Sequence, residues 1–111
     1  MSWHFVQQGK GRPLVLLHGI GMSHAAWNPV LPFLARERRV IAFDIAGFGQ
    51  TPPLADGTIP TAENISRALA QTLRKMDIHE PVDIAGNSLG GYLALEAAKL
   101  GLARSVVALS P

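Results

Sequence analysis

Short apolar runs alternate along this 111-residue sequence with segments of helical period, and this alternation limits the fold more than any other feature. Predominantly apolar runs of four to six residues are typical of strands that are buried on both faces of a sheet. One further segment is rich in β-forming residues and ends at a Gly-Lys-Gly turn signal. The sequence therefore predicts strands over residues 3–8, 13–18, 40–43, 82–86 and 105–109.

Three segments between these strands have the apolar spacing of amphipathic helices. They cover residues 27–37, with Pro29 near the start, residues 61–76, with Thr61 as the cap, and the Ala/Leu-rich residues 89–100. Strands and helices in this order predict an α/β fold, with a mostly parallel sheet between two helical layers. In such sheets, ligands bind at the carboxyl ends of the strands.

Composition favours one globular domain and excludes several classes of protein. Hydrophobic residues make up 48% and charged residues 16%, which is typical of a packed core. The net charge of +2 is small and the basic residues are scattered along the chain, so we expect no nucleic-acid partner. There is no cysteine, no secretory signal pattern and no apolar run near the ~20 residues that span a bilayer. We expect a cytoplasmic protein without membrane contact.

The motif with the clearest chemical meaning is G-x-S-x-G at residues 86–90, where a strand should pass directly into a helix. Such a turn forces Ser88 into a strained backbone conformation and projects its hydroxyl group out of the sheet. Gly86 and Gly90 keep the neighbouring backbone clear of side chains. The alternative is an ordinary Gly/Ser turn that caps a helix.

A second glycine-containing turn, His18-Gly19-Ile20-Gly21, follows the first buried strand. The backbone N–H groups of Ile20 and Leu89 are the expected donors of an oxyanion hole for Ser88. His18 is either a catalytic base or a support that holds its loop by hydrogen bonds, and the second role is the better interpretation.

Three motifs, in this order along the chain, resemble those of a known protein family: residues 18–21 (HGIG), Asp44-x-x-Gly47-x-Gly49, and residues 86–91 (GNSLGG). This set resembles the α/β-hydrolase superfamily, in its esterase, lipase and carbon–carbon-bond hydrolase branches, from about residue 3 to residue 111. The resemblance implies a Ser88 nucleophile, a small-molecule acyl substrate, and no cofactor or metal. An asparagine directly before the nucleophile, Asn87, is a feature in which the chain resembles the carbon–carbon-bond hydrolases. The resemblance also places Asp44 in a turn beside the active site.

The acid and the base of such an enzyme are missing from this sequence. In the family, the order along the chain is Ser, then Asp or Glu, then His. The 23 residues after Ser88 contain no His or Asp, and Glu96 lies about 12 Å along the helix. The upstream histidines, including His24, are not where the family places its base. We therefore expect residues 1–111 to be the amino-terminal part of one domain, truncated after the strand that follows the nucleophile helix, without cap or carboxyl-terminal strands, and inactive alone.

Two alternatives to a truncated serine hydrolase remain open. The first is a non-catalytic module that self-associates through residues 105–109, which we expect to form an unpaired and wholly apolar edge strand. The second is half of a complemented enzyme, in which a separate carboxyl-terminal chain pairs with the same edge and brings His and Asp.

Overall fold

A computed structural model of the protein describes residues 2–111. These residues form five strands, three α-helices and one short 3₁₀ helix. In chain order they are β1 (Phe5–Gln8), β2 (Pro13–Leu17), the 3₁₀ helix (His24–Trp27), α1 (Leu31–Leu34), β3 (Arg39–Phe43), α2 (Ala62–Lys75), β4 (Val82–Asn87), α3 (Leu89–Lys99) and β5 (Ala103–Leu109). None of the helices within residues 2–111 has both the length and the apolarity that crossing a bilayer requires.

The five strands form one sheet in the order β1-β3-β2-β4-β5. Strand β1 runs antiparallel to β3, and the other three pairings are parallel. This confirms the predicted α/β class with a mostly parallel sheet. Because β2, β3 and β4 are parallel neighbours, the residues that follow these strands lie close together at the carboxyl end of the sheet.

Alternate residues of the strands pack into two cores, one on each face of the sheet. In β3, Ile41 and Phe43 point into the larger core, which is closed by α2 and α3. Val40 and Ala42 point into the smaller core, which is closed by Leu31 of α1. All four of these β3 residues are fully buried. The strand is therefore apolar throughout because both of its faces are covered.

The predicted helix over residues 27–37 is wrong. The structure has a 3₁₀ helix that ends at Trp27 and a separate α-helix over Leu31–Leu34. Two prolines explain the break, because a proline lacks the N–H group and its ring clashes with the carbonyl group four residues earlier. Pro29 and Pro32 therefore prevent one continuous helix through Asn28, although Pro32 is tolerated in the first turn of α1.

Strand β5 is an edge of the sheet, as predicted, but it begins at Ala103 and is not wholly apolar. The hydroxyl group of Ser105 donates to Asp83 Oδ1 at 2.7 Å. Farther along the strand, Val107 and Leu109 are 56% and 49% exposed. The apolar part of the edge is therefore restricted to the carboxyl end of β5, beside the candidate site.

Candidate active site

Ser88 is the single residue between β4 and α3, and its backbone is in a conformation that side chains disfavour. Its φ and ψ angles are 55° and −117°, and it is one of three non-glycine residues with positive φ among residues 2–111. Its N–H group donates to the Leu109 carbonyl at 2.8 Å, and its carbonyl accepts from Tyr92 N–H at 3.0 Å. The sharp strand-to-helix turn is thus present and is held on both sides.

The Ser88 hydroxyl group is not used for capping. Although Ser88 is the cap residue of α3, its side chain makes no capping hydrogen bond. Among residues 2–111 it has no hydrogen bond to a histidine or a carboxylate either. The interpretation as an ordinary capping serine therefore has no support in the geometry.

The glycines of the motif are required by close backbone approach. A Cβ atom on Gly86 would lie 2.1 Å from the Gly90 carbonyl oxygen, and a Cβ atom on Gly90 would lie 2.1 Å from the Leu17 carbonyl oxygen. Gly90 N–H also donates to the His18 carbonyl at 3.0 Å. These contacts dock the start of α3 directly onto the end of β2.

The turn after β2 lies beside Ser88. A Cβ atom on Gly19 would be 3.6 Å from the Ser88 Cβ, and Gly21 has a φ of 74° with open space around it. The Ile20 side chain is 70% exposed. The N–H groups of Ile20 and Leu89 have no backbone acceptor within residues 2–111. Two unpaired donors therefore belong to the two segments that meet at Ser88.

His18 is fully buried, and both of its ring nitrogens are used. Nδ1 lies 2.7 Å from the Gly19 carbonyl oxygen, and Nε2 lies 2.9 Å from the N–H group of Ile45. A carbonyl only accepts and an amide N–H only donates, so Nδ1 carries the proton and Nε2 accepts. Desolvation by burial lowers the pKa of His18, which favours this neutral form. The ring has no free nitrogen with which to take a proton from Ser88.

Asp44 follows β3 and holds two loops by its carboxylate. Its Oδ1 accepts from the backbone N–H of His24 at 2.7 Å and from the His24 ring Nδ1 at 2.8 Å, and its Oδ2 accepts from Gln50 N–H at 2.9 Å. Burial alone would raise the pKa of Asp44, but these hydrogen bonds outweigh burial and lower it. A Cβ atom on Gly49 would collide with this carboxylate, at 2.3 Å from Oδ2.

A cavity of about 270 Å³ opens at the carboxyl end of the sheet, beside the 3₁₀ helix. The buried indole Nε1 of Trp27 has no hydrogen-bond partner within residues 2–111. Asn87, the exposed residue before Ser88, is on the cavity wall. The wall is formed by His18, Gly19, Ala26, Trp27, Asn87 and Leu109.

The other candidate groups do not contribute to this site. His79 is exposed and pairs with Asp77 at 2.8 Å, in the connection that enters β4 at its opposite end. Glu96 pairs with Lys99 at 3.4 Å on α3. The His24 ring Nδ1 is hydrogen-bonded to Asp44 Oδ1. No base is therefore in place beside Ser88 within residues 2–111.

Comparisons with known proteins show what this chain is similar to. The chain is 40% identical over 95 residues to 2-hydroxy-6-oxo-6-(2'-aminophenyl)hexa-2,4-dienoic acid hydrolase of Metapseudomonas resinovorans, covering 82% of this chain and 32% of that protein. It is 33% identical over 98 residues to pimeloyl-[acyl-carrier protein] methyl ester esterase of Legionella pneumophila, covering 88% and 36%. A thermophilic esterase from Thermogutta terrifontis superposes with a TM-score of 0.83 at 28% identity, covering 93% of this chain and 37% of that structure.

These three proteins are hydrolases, and the chain spans about a third of the length of each. The family model described as "Alpha/beta hydrolase family" matches residues 14–111. The chain belongs to the alpha/beta hydrolase family, which confirms the resemblance identified from the three sequence motifs.

Proposed function

We propose that this chain carries the nucleophile and the oxyanion hole of a serine hydrolase that acts on an ester or a related acyl substrate. The observation that carries the proposal is the strained backbone of Ser88, whose hydroxyl group has no capping role. Strain of about 1–3 kcal/mol is retained where the surrounding structure enforces it, most often at functional sites. A reactive serine gains from this placement because the turn exposes its oxygen.

In the proposed reaction, Ser88 Oγ attacks the carbonyl carbon of an ester substrate, the ester C–O bond breaks, and the alcohol leaves with a proton. Water then hydrolyses the acyl-enzyme, which releases the carboxylic acid and the free Ser88 hydroxyl group. The N–H groups of Ile20 and Leu89 donate to the negatively charged oxygen of the tetrahedral intermediate. Each such donor is typically worth about 10²–10³ in kcat. His18 acts through its hydrogen bonds, which hold Gly19 and Ile45 and so fix the loop that presents Ile20.

The proton of the Ser88 hydroxyl group must pass to a base that these 111 residues do not place in reach. We propose that the base and its acidic partner come from other polypeptide, in the same chain or in a separate one. These 111 residues alone should then hydrolyse esters near background, because oxyanion-hole donors without a base leave only residual catalysis.

A fluorophosphonate probe tests the nucleophile, with the product of the complete reading frame as the sample. Labelling should occur on the parent protein and should be lost in Ser88→Ala. Ser2→Ala is the matched control, because Ser2 is exposed and lies outside the site. Equal labelling of Ser88→Ala and parent, or no labelling of a folded parent, contradicts the assignment.

A second candidate function is assembly through the edge of β5, which the exposure of Val107 and Leu109 favours. The partner is either another copy or a complementing chain that carries His and Asp. Light scattering of these 111 residues should then show self-association that Val107→Lys prevents, because a charge on an edge strand opposes pairing. A monomer with low hydrophobic-dye binding counts against self-association, and recovery of ester hydrolysis on mixing would identify the complementing chain.

A further inference from the structure

Three side chains that can bind metal converge beside the carboxyl end of β3. His4 precedes β1, His24 begins the 3₁₀ helix, and Asp44 follows β3. One ligand atom from each lies within 4.8 Å of the other two. We propose that His4, His24 and Asp44 form a binding site for a zinc ion.

Asp44 is already held in the orientation that a metal ligand needs. Its side chain is 1% exposed, and the backbone N–H groups of His24 and Gln50 each bind one of its oxygens. Hydrogen bonds of this kind fix the position of ligating carboxylates in metal sites. His24 and His4 are only partly buried, so an ion can reach the cluster from solvent.

The backbone of His4 is fixed relative to Asp44. Asp44 N–H donates to the His4 carbonyl at 2.9 Å, extending the β1–β3 pairing. His4 N–H donates to Thr51 Oγ1 at 2.8 Å, and that hydroxyl group donates to the Asp44 carbonyl at 2.7 Å. The His4 ring, in contrast, has no hydrogen bond to any of residues 2–111. It lies with its centroid 5.4 Å from that of His24 and can turn toward the other two ligands.

The chemistry requires only the relocation of one proton. Because an ionised carboxylate only accepts, the proton between His24 Nδ1 and Asp44 Oδ1 belongs to the ring. Zinc takes its place, and Nε2 of the same ring carries the proton in the metal-bound form. Tetrahedral zinc with bonds of about 2.0–2.1 Å places its ligand atoms about 3.3 Å apart. The present 2.8 Å separation of Nδ1 and Oδ1 therefore opens by about half an ångström.

The donor set selects the kind of ion. Two imidazoles and one carboxylate suit zinc and other first-row transition metals, of which zinc is the one without redox chemistry, whereas magnesium and calcium prefer sites made only of oxygen. Three protein ligands leave the fourth position to water, as in open zinc sites. An occupied site would tie the segment before β1 to the 3₁₀ helix and to the end of β3. The site does not depend on Ser88 or on hydrolysis.

Calorimetric titration of the product of the complete reading frame with zinc chloride tests the site. We expect one ion per chain and a thermal unfolding midpoint that rises with zinc, because a ligand that binds the folded state stabilises it. His4→Phe keeps a ring against His24 but removes both nitrogens, so it should weaken zinc binding by roughly tenfold or more. His24→Ala should weaken binding similarly, and magnesium chloride should have no effect.

His79→Ala is the matched control, because His79 also pairs with an aspartate but has no second histidine. It should bind zinc as the parent does. The His4→Phe protein without metal should unfold at the parent midpoint, since the His4 ring has no hydrogen bond to lose. Parent-like zinc affinity in His4→Phe, or no binding by the parent at about 100 µM zinc, overturns the proposal.

Discussion

Replacing Ser88 with glycine should stabilise the fold relative to replacing it with alanine. With φ at 55° and ψ at −117°, any residue with a Cβ atom is strained at this position. Such strain costs about 1–3 kcal/mol. Glycine removes this strain, but it also increases the conformational entropy of the unfolded chain, which lowers the free energy of unfolding by about 0.4–1 kcal/mol. We therefore expect Ser88→Gly to be about 0.5–2 kcal/mol more stable than Ser88→Ala.

Urea unfolding of the two variants measures this difference without the serine hydroxyl group in either. A gain of 1 kcal/mol corresponds to about 4–8 °C in Tm for a domain near this size. Ala98→Gly, at an exposed position in the last turn of α3, is the control that should lower stability, by up to about 1 kcal/mol. If Ser88→Gly is less stable than Ser88→Ala, the backbone at position 88 is not strained and the argument for the site fails.

Three other perturbations have defined outcomes. Gly90→Ala should lose at least about 2 kcal/mol in urea unfolding, because its Cβ atom would meet the Leu17 carbonyl oxygen at 2.1 Å; a loss below about 0.5 kcal/mol would contradict the packing. The His18 ring should remain the neutral Nδ1–H tautomer by NMR at pH 6.5 and somewhat below, because its pKa is lowered from 6.5; half-protonation at or above pH 6.5 would show that the ring is not desolvated. The lowered pKa of Asp44 implies stability that is complete above about pH 4 and is lost as the pH falls through the folded-state pKa. Asp44→Asn should therefore lose less stability than the parent between pH 5 and pH 3, and an equal loss in both would refute the role of this carboxylate.

The sheet and the turn at Ser88 were predictable because each depends on a local pattern. Apolar runs such as residues 13–17 show that both faces of a strand are covered, whatever covers them. The motif at residues 86–90 combines the two glycines that the backbone approach requires with the residue that the turn exposes. No neighbour far along the sequence is needed to recognise either pattern.

The break between the 3₁₀ helix and α1 was missed because the apolar spacing of Trp27, Leu31 and Leu34 has helical period. Leu31 does pack into the smaller core, with Trp27 and Leu34 against it. The spacing therefore identifies the buried residues correctly, but Pro29 and Pro32 divide these residues between two short helices.

The cluster of His4, His24 and Asp44 was not predicted because it depends on the pairing of β1 with β3. Only the antiparallel register, with Phe5 opposite Phe43, brings the residue before one strand to the residue after the other. A parallel β1 would place His4 at the opposite end of the sheet. For His4 and Asp44 the available signal was their position directly beside a strand terminus; His24 lies in the connection after β2 and carried no such signal.

The hydrogen bond from Ser88 N–H to the Leu109 carbonyl has a consequence for the order of assembly during synthesis. Domains form while the ribosome is still adding residues, at about 5–20 per second. A growing chain can bring α3 onto β2 early, but it lacks this bond until residue 109 has left the exit tunnel. The bend at position 88 therefore acquires its last restraint only when nearly the whole of this segment has emerged.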